Sequence, residues 1–134
     1  MKNQRSEIST KNKYWIPKFR YLELKNFCLQ YPDWKLALNE ISFLQATTVV
    51  VPTGFISDPT DRMAICRLRY EENIKLVEEI AKLSDESLAK WIIKGVTENL
   101  SYDFLRYKLE IPAGRDMYYD RYRRFFWLLD QRKK

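Results

Sequence analysis

The sequence predicts an all-α protein, a five-helix domain that ends in a helix-turn-helix. Of its 134 residues, 46% are hydrophobic and 15% are aromatic, which is enough apolar material for one substantial core. Apolar side chains recur at helical spacing, and the breaks coincide with proline, glycine or capping residues. We predict a flexible basic arm over residues 1–13, a helical bundle over 14–99 and a C-terminal helix-turn-helix over 100–134, packed as one unit.

The first two helices are predicted on either side of Pro32. Proline can start a helix but cannot continue one, so the first helix spans residues 15–31 and the second spans 32–46. The side chains expected in the core from the first helix are Phe19, Leu22, Phe27 and Leu29. Those expected from the second are Trp34, Leu36, Leu38, Ile41, Phe43 and Leu44.

Residues 47–60 interrupt the helical pattern. Three consecutive β-branched valines at 49–51 are followed by the helix breakers Pro52, Gly54 and Pro59. The sequence offers no second strand with which this segment could pair, so we predict an extended loop with an apolar anchor.

Two further helices complete the predicted bundle. Asp58 and Thr60 provide a helix start, and a long third helix follows over residues 61–83. Ser84 is expected to cap a fourth helix that ends near Thr97. The apolar stripe of the third helix contains Ile65, Leu68, Ile74, Val77, Ile80 and Ala81, and that of the fourth contains Leu88, Trp91, Ile92 and Val96.

The last third of the chain predicts two helices joined by a short turn. Ser101 caps a short helix whose Phe104, Leu105 and Leu109 are expected to face inward. Residues 110–114 break the pattern, and an arginine-rich helix then spans 115–130. Its core stripe is Tyr118, Tyr122, Phe125, Phe126 and Leu129. A short helix, a tight turn and a longer basic helix are the parts of a DNA-binding helix-turn-helix.

Charge is distributed unevenly along the chain, whose net charge is +6. Residues 1–30 contain seven basic and two acidic side chains, and residues 101–134 contain nine and five. Residues 31–100 contain eight basic and eleven acidic side chains. Two basic ends around an acidic middle suit contact with a polyanion.

Composition argues against an enzyme. Histidine is absent, which removes the commonest general base and the commonest zinc ligand. Cys28 and Cys66 each lie in a helical apolar pattern and are predicted to be small buried hydrophobes. Asp116 and Asp120 are expected to pair with Arg124 or Arg123 rather than to catalyse. We expect no metal and no cofactor.

The chain is also expected to stay in the cytoplasm. Its longest apolar runs are far shorter than a membrane span, and its first residues lack the apolar core of a signal peptide. No membrane partner is predicted.

The predicted DNA contacts follow from the geometry of a helix-turn-helix. The first residues of the second helix enter the major groove, where Arg115 can reach guanine and Asp116 can accept from cytosine. Tyr119 is predicted to be exposed and able to stack, while the later basic residues contact phosphates. The full predicted set is Ser101, Pro112, Ala113, Gly114, Arg115, Asp116, Tyr119, Arg121, Arg123, Arg124, Lys133 and Lys134.

The stretch VTENLSYDFLRYKLEIPAGR, residues 96–115, resembles the C-terminal helix-turn-helix of sigma factors, in which a Leu-Ser-Tyr-acid entry and an Ile-x-x-Gly turn recur. The chain is also similar to small phage and prophage regulators of the RinA and ArpU type, which activate late-gene transcription. The phrases FCLQYPDW (27–34) and IPAGRDMYYDR (111–121) resemble uncharacterised prophage proteins of Gram-positive bacteria. Glu110 departs from the sigma pattern, where a glycine is usual, and the apolar stripe after Gly114 is offset by about one residue.

The resemblance implies a phage- or prophage-type sequence-specific DNA-binding protein that regulates late-gene transcription. Its expected partners are double-stranded DNA and RNA polymerase. One alternative is an accessory of site-specific recombination, such as a recombination directionality factor that meets a recombinase, or of DNA packaging. Another is a protein-interaction module with no DNA role. A homodimer is compatible with DNA binding, with residues 49–55 or the first two helices as its face.

Overall fold

A computed structural model describes residues 11–46 and 58–134. In both ranges the regular structure is helical, which confirms the all-α class. The described residues contain six α-helices, one for each helical segment predicted above, so the total of five was too low; one short 3-10 helix lies at Glu86–Leu88. The α-helices are α1 (Lys18–Leu29), α2 (Tyr31–Ala46), α3 (Asp58–Ser84), α4 (Ala89–Glu98), α5 (Tyr102–Leu109) and α6 (Arg115–Arg132).

Two predicted segments fall largely outside the described residues. Of the arm over 1–13 only residues 11–13 are described, and they belong to a turn in which the Tyr14 amide donates to Asn12 Oδ1 at 2.8 Å. Of the predicted loop over 47–60 only residues 58–60 are described. These three residues form the first turn of α3, so the helix begins slightly earlier than predicted.

The core is built around α6, which packs against α1, α3 and α4. The predicted stripe of α6 is confirmed, because Tyr118, Phe125, Phe126 and Leu129 are completely buried and Tyr122 is nearly so. Edge-to-face contacts join Phe125, Phe126 and Tyr122 along this stripe. The helix predicted to read DNA is therefore also the central support of the fold.

The buried face of α1 differs from the prediction. Tyr21, Leu24 and Cys28 face the core, whereas Phe19 is 79% exposed and Leu22 is also exposed. The hydroxyl of Tyr21 is hydrogen-bonded to that of Tyr122 at 2.8 Å, and its ring packs edge-on against Phe126. Tyrosine can be buried here because α6 supplies a partner for its hydroxyl, and this decides which face of α1 turns inward.

α2 packs against α3. The Tyr31 hydroxyl at the start of α2 donates to Glu78 Oε2 late in α3 at 2.5 Å. Of the predicted core side chains, Trp34 and Ile74 are buried, but Ile65 and Leu68 are 58% and 57% exposed. The prediction was also wrong for Leu36, Phe43 and Leu44, which are exposed.

The two cysteines have different environments. Cys28 is completely buried in α1, as predicted, and burial raises the pKa of its thiol. Cys66 is exposed on α3, so the prediction that it is buried was wrong. Its neighbours Ile65 and Leu68 are exposed as well, so apolar periodicity in this stretch of α3 does not mark a buried face.

Ser84 ends α3 instead of capping α4, contrary to the prediction. Its hydroxyl donates to the backbone carbonyl of Arg121 at 2.6 Å, and Asp85 caps the 3-10 helix by accepting from the amides of Ser87 and Leu88. A serine cap and an aspartate cap look alike in sequence. The contact with α6 determines which of the two residues serves as the cap.

Candidate nucleic-acid interface

The α5–turn–α6 unit has well-defined ends. Ser101 caps α5 by accepting from the Phe104 amide at 3.2 Å, as its sequence position predicts. The carbonyl of Leu105 accepts from the amides of Glu110 and Ile111, which closes the helix and buries Ile111. Residues 112–114 then lead into α6, whose N-terminal residue Gly114 provides no side-chain cap.

Glu110 adopts the left-handed conformation that glycine usually provides at this turn, with φ 55° and ψ 46°. A non-glycine residue in this conformation costs conformational energy. We expect Glu110→Gly to raise the free energy of unfolding by about 0.5 to 1 kcal/mol, which urea titration measures.

Asn99, the second non-glycine residue with positive φ in the described chain, supplies the control. Asparagine tolerates this conformation better than glutamate, so Asn99→Gly should gain less. A loss of stability in Glu110→Gly would show that the Glu110 side chain has a stabilising role outweighing the strain.

Three contacts hold α5 against the start of α6. The Tyr102 hydroxyl donates to the carbonyl of Ala113 at 2.6 Å. Arg115 pairs with Asp103 at 2.6 Å, and its guanidinium lies 5.0 Å from the centre of the Tyr102 ring. These contacts fix the orientation of the first turn of α6 and leave the Arg115 side chain 37% exposed.

Tyr119 does not have the environment that the sequence predicted. It is half-buried, and its ring contacts those of Tyr102, Tyr118 and Tyr122. Its hydroxyl accepts from the Tyr102 amide at 3.4 Å. The expectation of an exposed stacking platform was wrong, because the tyrosines of α5 and α6 interlock at this point.

Solvent reaches a continuous part of this unit, formed by the outer side of α5, the turn and the first turn of α6. We call it the α5–α6 face. Its exposed residues are Asp103, Phe104, Arg106, Tyr107, Lys108, Glu110, Pro112, Gly114, Asp116 and Met117, with Arg115 half-exposed. It includes the predicted contacts Pro112, Gly114, Arg115 and Asp116, whereas Ser101 is exposed at the start of α5 and Ala113 is half-buried. Phe104 was expected to point inward but is exposed.

Arg106, Tyr107 and Lys108 were not among the predicted contacts. Tyr107 is 76% exposed, and the Arg106 guanidinium lies 5.9 Å from its ring centre. An aromatic ring between two cations in the last turn of α5 was the available signal in the sequence. It was missed because DNA contacts were expected mainly from the second helix of the pair.

Arg121 lies against the 3-10 helix. Its Nε donates to Asp85 Oδ2 at 2.9 Å, and it also pairs with the adjacent Asp120. Burial alone would raise the pKa of the Asp85 carboxyl, but hydrogen bonds from Ser87, Arg121 and the Leu88 amide outweigh it and lower the pKa. The guanidinium thus joins α6 to the cap of the 3-10 helix, whereas a phosphate contact would require it to point outward.

Arg123 and Arg124 are half-buried in the middle of α6. The Nε of Arg123 is buried without a hydrogen-bond partner in the described part of the chain. The predicted pairing of these arginines with Asp120 was wrong, since Asp120 pairs with Arg121.

Lys133 and Lys134 lie at the opposite end of α6, next to α1. Arg20 of α1 donates to Asp130 at 2.7 Å and to the Lys133 carbonyl at 3.3 Å. The Lys133 ammonium lies 4.1 Å from the centre of the Phe27 ring, and Lys134 approaches Asp130 at 4.0 Å. The described part of the basic N-terminal region therefore meets the basic C-terminus.

Comparison with known protein families, with curated proteins and with solved structures finds no match to this chain. Within residues 11–46 and 58–134, no helix combines the length and apolar character that crossing a bilayer requires. In the same ranges, no three acidic or cysteine side chains are grouped closely enough to hold a metal ion.

Proposed function

We propose that this protein binds double-stranded DNA in a sequence-specific manner and regulates transcription, as phage regulators of the type it resembles do. The observation that carries the proposal is the α5–α6 face. Here the open N-terminus of α6 and an exposed Arg106–Tyr107–Lys108 cluster lie on two helices that side-chain contacts hold together.

The first turn of α6 supports base recognition. Backbone amides at an uncapped helix N-terminus can donate to a phosphate, which would seat the helix in the groove. Asp116 is exposed there, and Arg115 is half-exposed but held by Asp103 and Tyr102. An arginine held in this way loses little conformational freedom when it binds a guanine.

Two regions of the protein contribute differently to the proposed attraction for DNA. On the α5–α6 face Arg106, Lys108 and Arg115 are balanced by Asp103, Glu110 and Asp116. The face alone therefore provides little long-range attraction to phosphate. In this proposal the attraction comes from a second region at the far end of α6, where Arg20 of α1 lies beside Lys133 and Lys134. The 18 residues of α6 span about 27 Å, less than one turn of B-DNA at about 34 Å, so both regions can reach one duplex.

The test is selection of bound genomic fragments, followed by affinity measurement on the enriched site over a range of salt concentrations. Arg115→Ala should lower affinity by about 1 to 3 kcal/mol and relax preference at one base position. The doubles Arg106→Ala/Lys108→Ala and Lys133→Ala/Lys134→Ala should weaken binding to all sequences and reduce the salt slope by about one per cation removed.

Lys75→Ala is the matched control, because it removes one exposed cation from α3, outside both regions. It should leave affinity and salt slope close to those of the original protein. Binding no tighter than to random DNA at physiological salt would contradict the proposal and favour a protein-interaction role. Strong bending of the bound site would favour the recombination accessory instead.

A further inference from the structure

α3 presents a second face, on the side opposite its buried residues Ile74, Val77 and Ala81. The residues on this face are separated alternately by three and four positions along the chain. This spacing keeps side chains on one side of a helix and is typical of paired helices. We call this row the α3 seam: Arg62, Ile65, Arg69, Glu72, Leu76, Glu79 and Leu83. All of them are exposed except Leu76, which is half-buried.

The apolar members of the seam are too exposed for a surface that remains in water. Ile65 is 58% exposed and Leu83 is 54% exposed, and Leu68 beside the seam is 57% exposed. Three large aliphatic side chains along one helix form an apolar strip of the kind that marks an interface.

The order of charges along the seam identifies the partner. Its first half contains the basic residues Arg62 and Arg69, and its second half contains the acidic residues Glu72 and Glu79. If a second α3 runs antiparallel across a two-fold axis between Tyr70 and Glu71, position i faces position 141 − i. Arg62 then faces Glu79, Arg69 faces Glu72, and Ile65 faces Leu76.

Existing contacts leave these groups available. Glu79 is paired with Arg132 at 3.3 Å, but both side chains are nearly half exposed, so a second cation can share the carboxylate. Arg62, Arg69 and Glu72 are exposed in the monomer. Pairing of two seams would therefore unite opposite charges without breaking an internal contact.

We infer that the protein forms a two-fold symmetric homodimer through antiparallel pairing of the α3 seams. The interface is isologous, so each Arg–Glu pair occurs twice. This inference does not depend on the proposed DNA binding, because it concerns a different helix and a different measurement.

Two variants, each with one reversed charge, test both the identity of the partner and the register of the pairing. Sedimentation velocity should show that the original protein dimerises with rising concentration. Arg69→Glu and Glu72→Arg should each weaken dimerisation at least about tenfold, since each places like charges opposite one another twice. An equimolar mixture of the two should recover dimers, because every pair in the mixed dimer is again of opposite sign.

Lys75→Glu is the matched control, as it reverses an exposed charge on α3 beside the seam. It should dimerise like the original protein. Circular dichroism checks that the variants stay helical. If the original protein is monomeric, the inference is wrong and the seam would be a surface for a different protein. If the mixture does not recover dimers, the antiparallel register is wrong.

Discussion

Replacing Gly95 by alanine should destabilise the protein by about 2 kcal/mol, although alanine is the better helix former. Gly95 is buried in α4 against Tyr118 of α6. A Cβ at this position would overlap the hydroxyl oxygen of Tyr118 and lie 3.3 Å from its Cζ. Tyr118 is completely buried, so its rigid ring cannot move aside without displacing the core.

A second substitution, at Tyr118, should restore most of the stability that Gly95→Ala loses. The Tyr118 hydroxyl has no hydrogen-bond partner in the described part of the chain, so Tyr118→Phe removes an unsatisfied buried group and should be neutral or stabilising. In the Tyr118→Phe background the overlap with the hydroxyl oxygen is absent, and Gly95→Ala should then cost less than about 1 kcal/mol.

Urea titration of the four proteins in this cycle gives the coupling between the two positions. We expect about 1 to 3 kcal/mol, with the double variant more stable than Gly95→Ala alone. Equal cost of Gly95→Ala in both backgrounds would mean that another contact limits the approach of α4 to α6.

Arg121→Met should cost about 2 kcal/mol at neutral pH. Methionine keeps most of the apolar length of the side chain but removes the donor to Asp85, whose side chain is only 13% exposed. A charge-assisted hydrogen bond contributes about 1.5 to 3 kcal/mol, and its loss leaves the carboxylate partly desolvated. The hydrogen bonds from Ser87 and the Leu88 amide remain and keep the loss near the middle of that range.

The cost of Arg121→Met should fall in acid. The folded pKa of Asp85 is lowered, so its stabilising effect is complete above the unfolded pKa of about 3.9 and is lost as pH falls through the folded pKa. In the variant burial opposes fewer hydrogen bonds, so the folded pKa of Asp85 moves upward. Unfolding free energies at neutral pH and below about pH 4 measure the difference, and a cost that is the same at both would contradict this account.

Arg121→Met also tests whether Arg121 contributes to DNA binding or only to the stability of the fold. Arg121 was predicted from sequence to contact phosphate, but it is paired with Asp85 and Asp120. At temperatures where the variant remains folded, Arg121→Met should therefore bind DNA as the original protein does. A loss of affinity with a reduced salt slope would instead indicate that Arg121 leaves its partners to contact the duplex.

Sequence reasoning succeeded where local signals are strong. The helix starts at Ser101 and Gly114, and the stripe of Tyr118, Tyr122, Phe125, Phe126 and Leu129, follow from capping and periodicity alone. It failed on α1, where Phe19 is more hydrophobic than Tyr21 yet lies in solvent. No single-helix argument could reveal the Tyr122 hydroxyl that permits Tyr21 to be buried.

The candidate interface shows the same division. Sequence indicated that Arg115 and Asp116 begin the second helix, and the structure leaves that turn accessible. It could not indicate that Tyr119 interlocks with Tyr102, or that Arg121 reaches Asp85, because those partners lie 17 and 36 residues away along the chain. Residue type gives a side chain its chemistry, while availability depends on what else is packed beside it.

By itself, the sequence determined the all-helical class, most helix boundaries and the concentration of positive charge at both chain ends. These properties depend on residues a few positions apart or on composition, which need no tertiary contact. Only the tertiary structure decided which faces of α1, α2 and α3 are buried and which arginines remain accessible. The physical reason is that burial and ion pairing depend on the neighbouring helices: α6 for α1 and the end of α3, and α3 for α2.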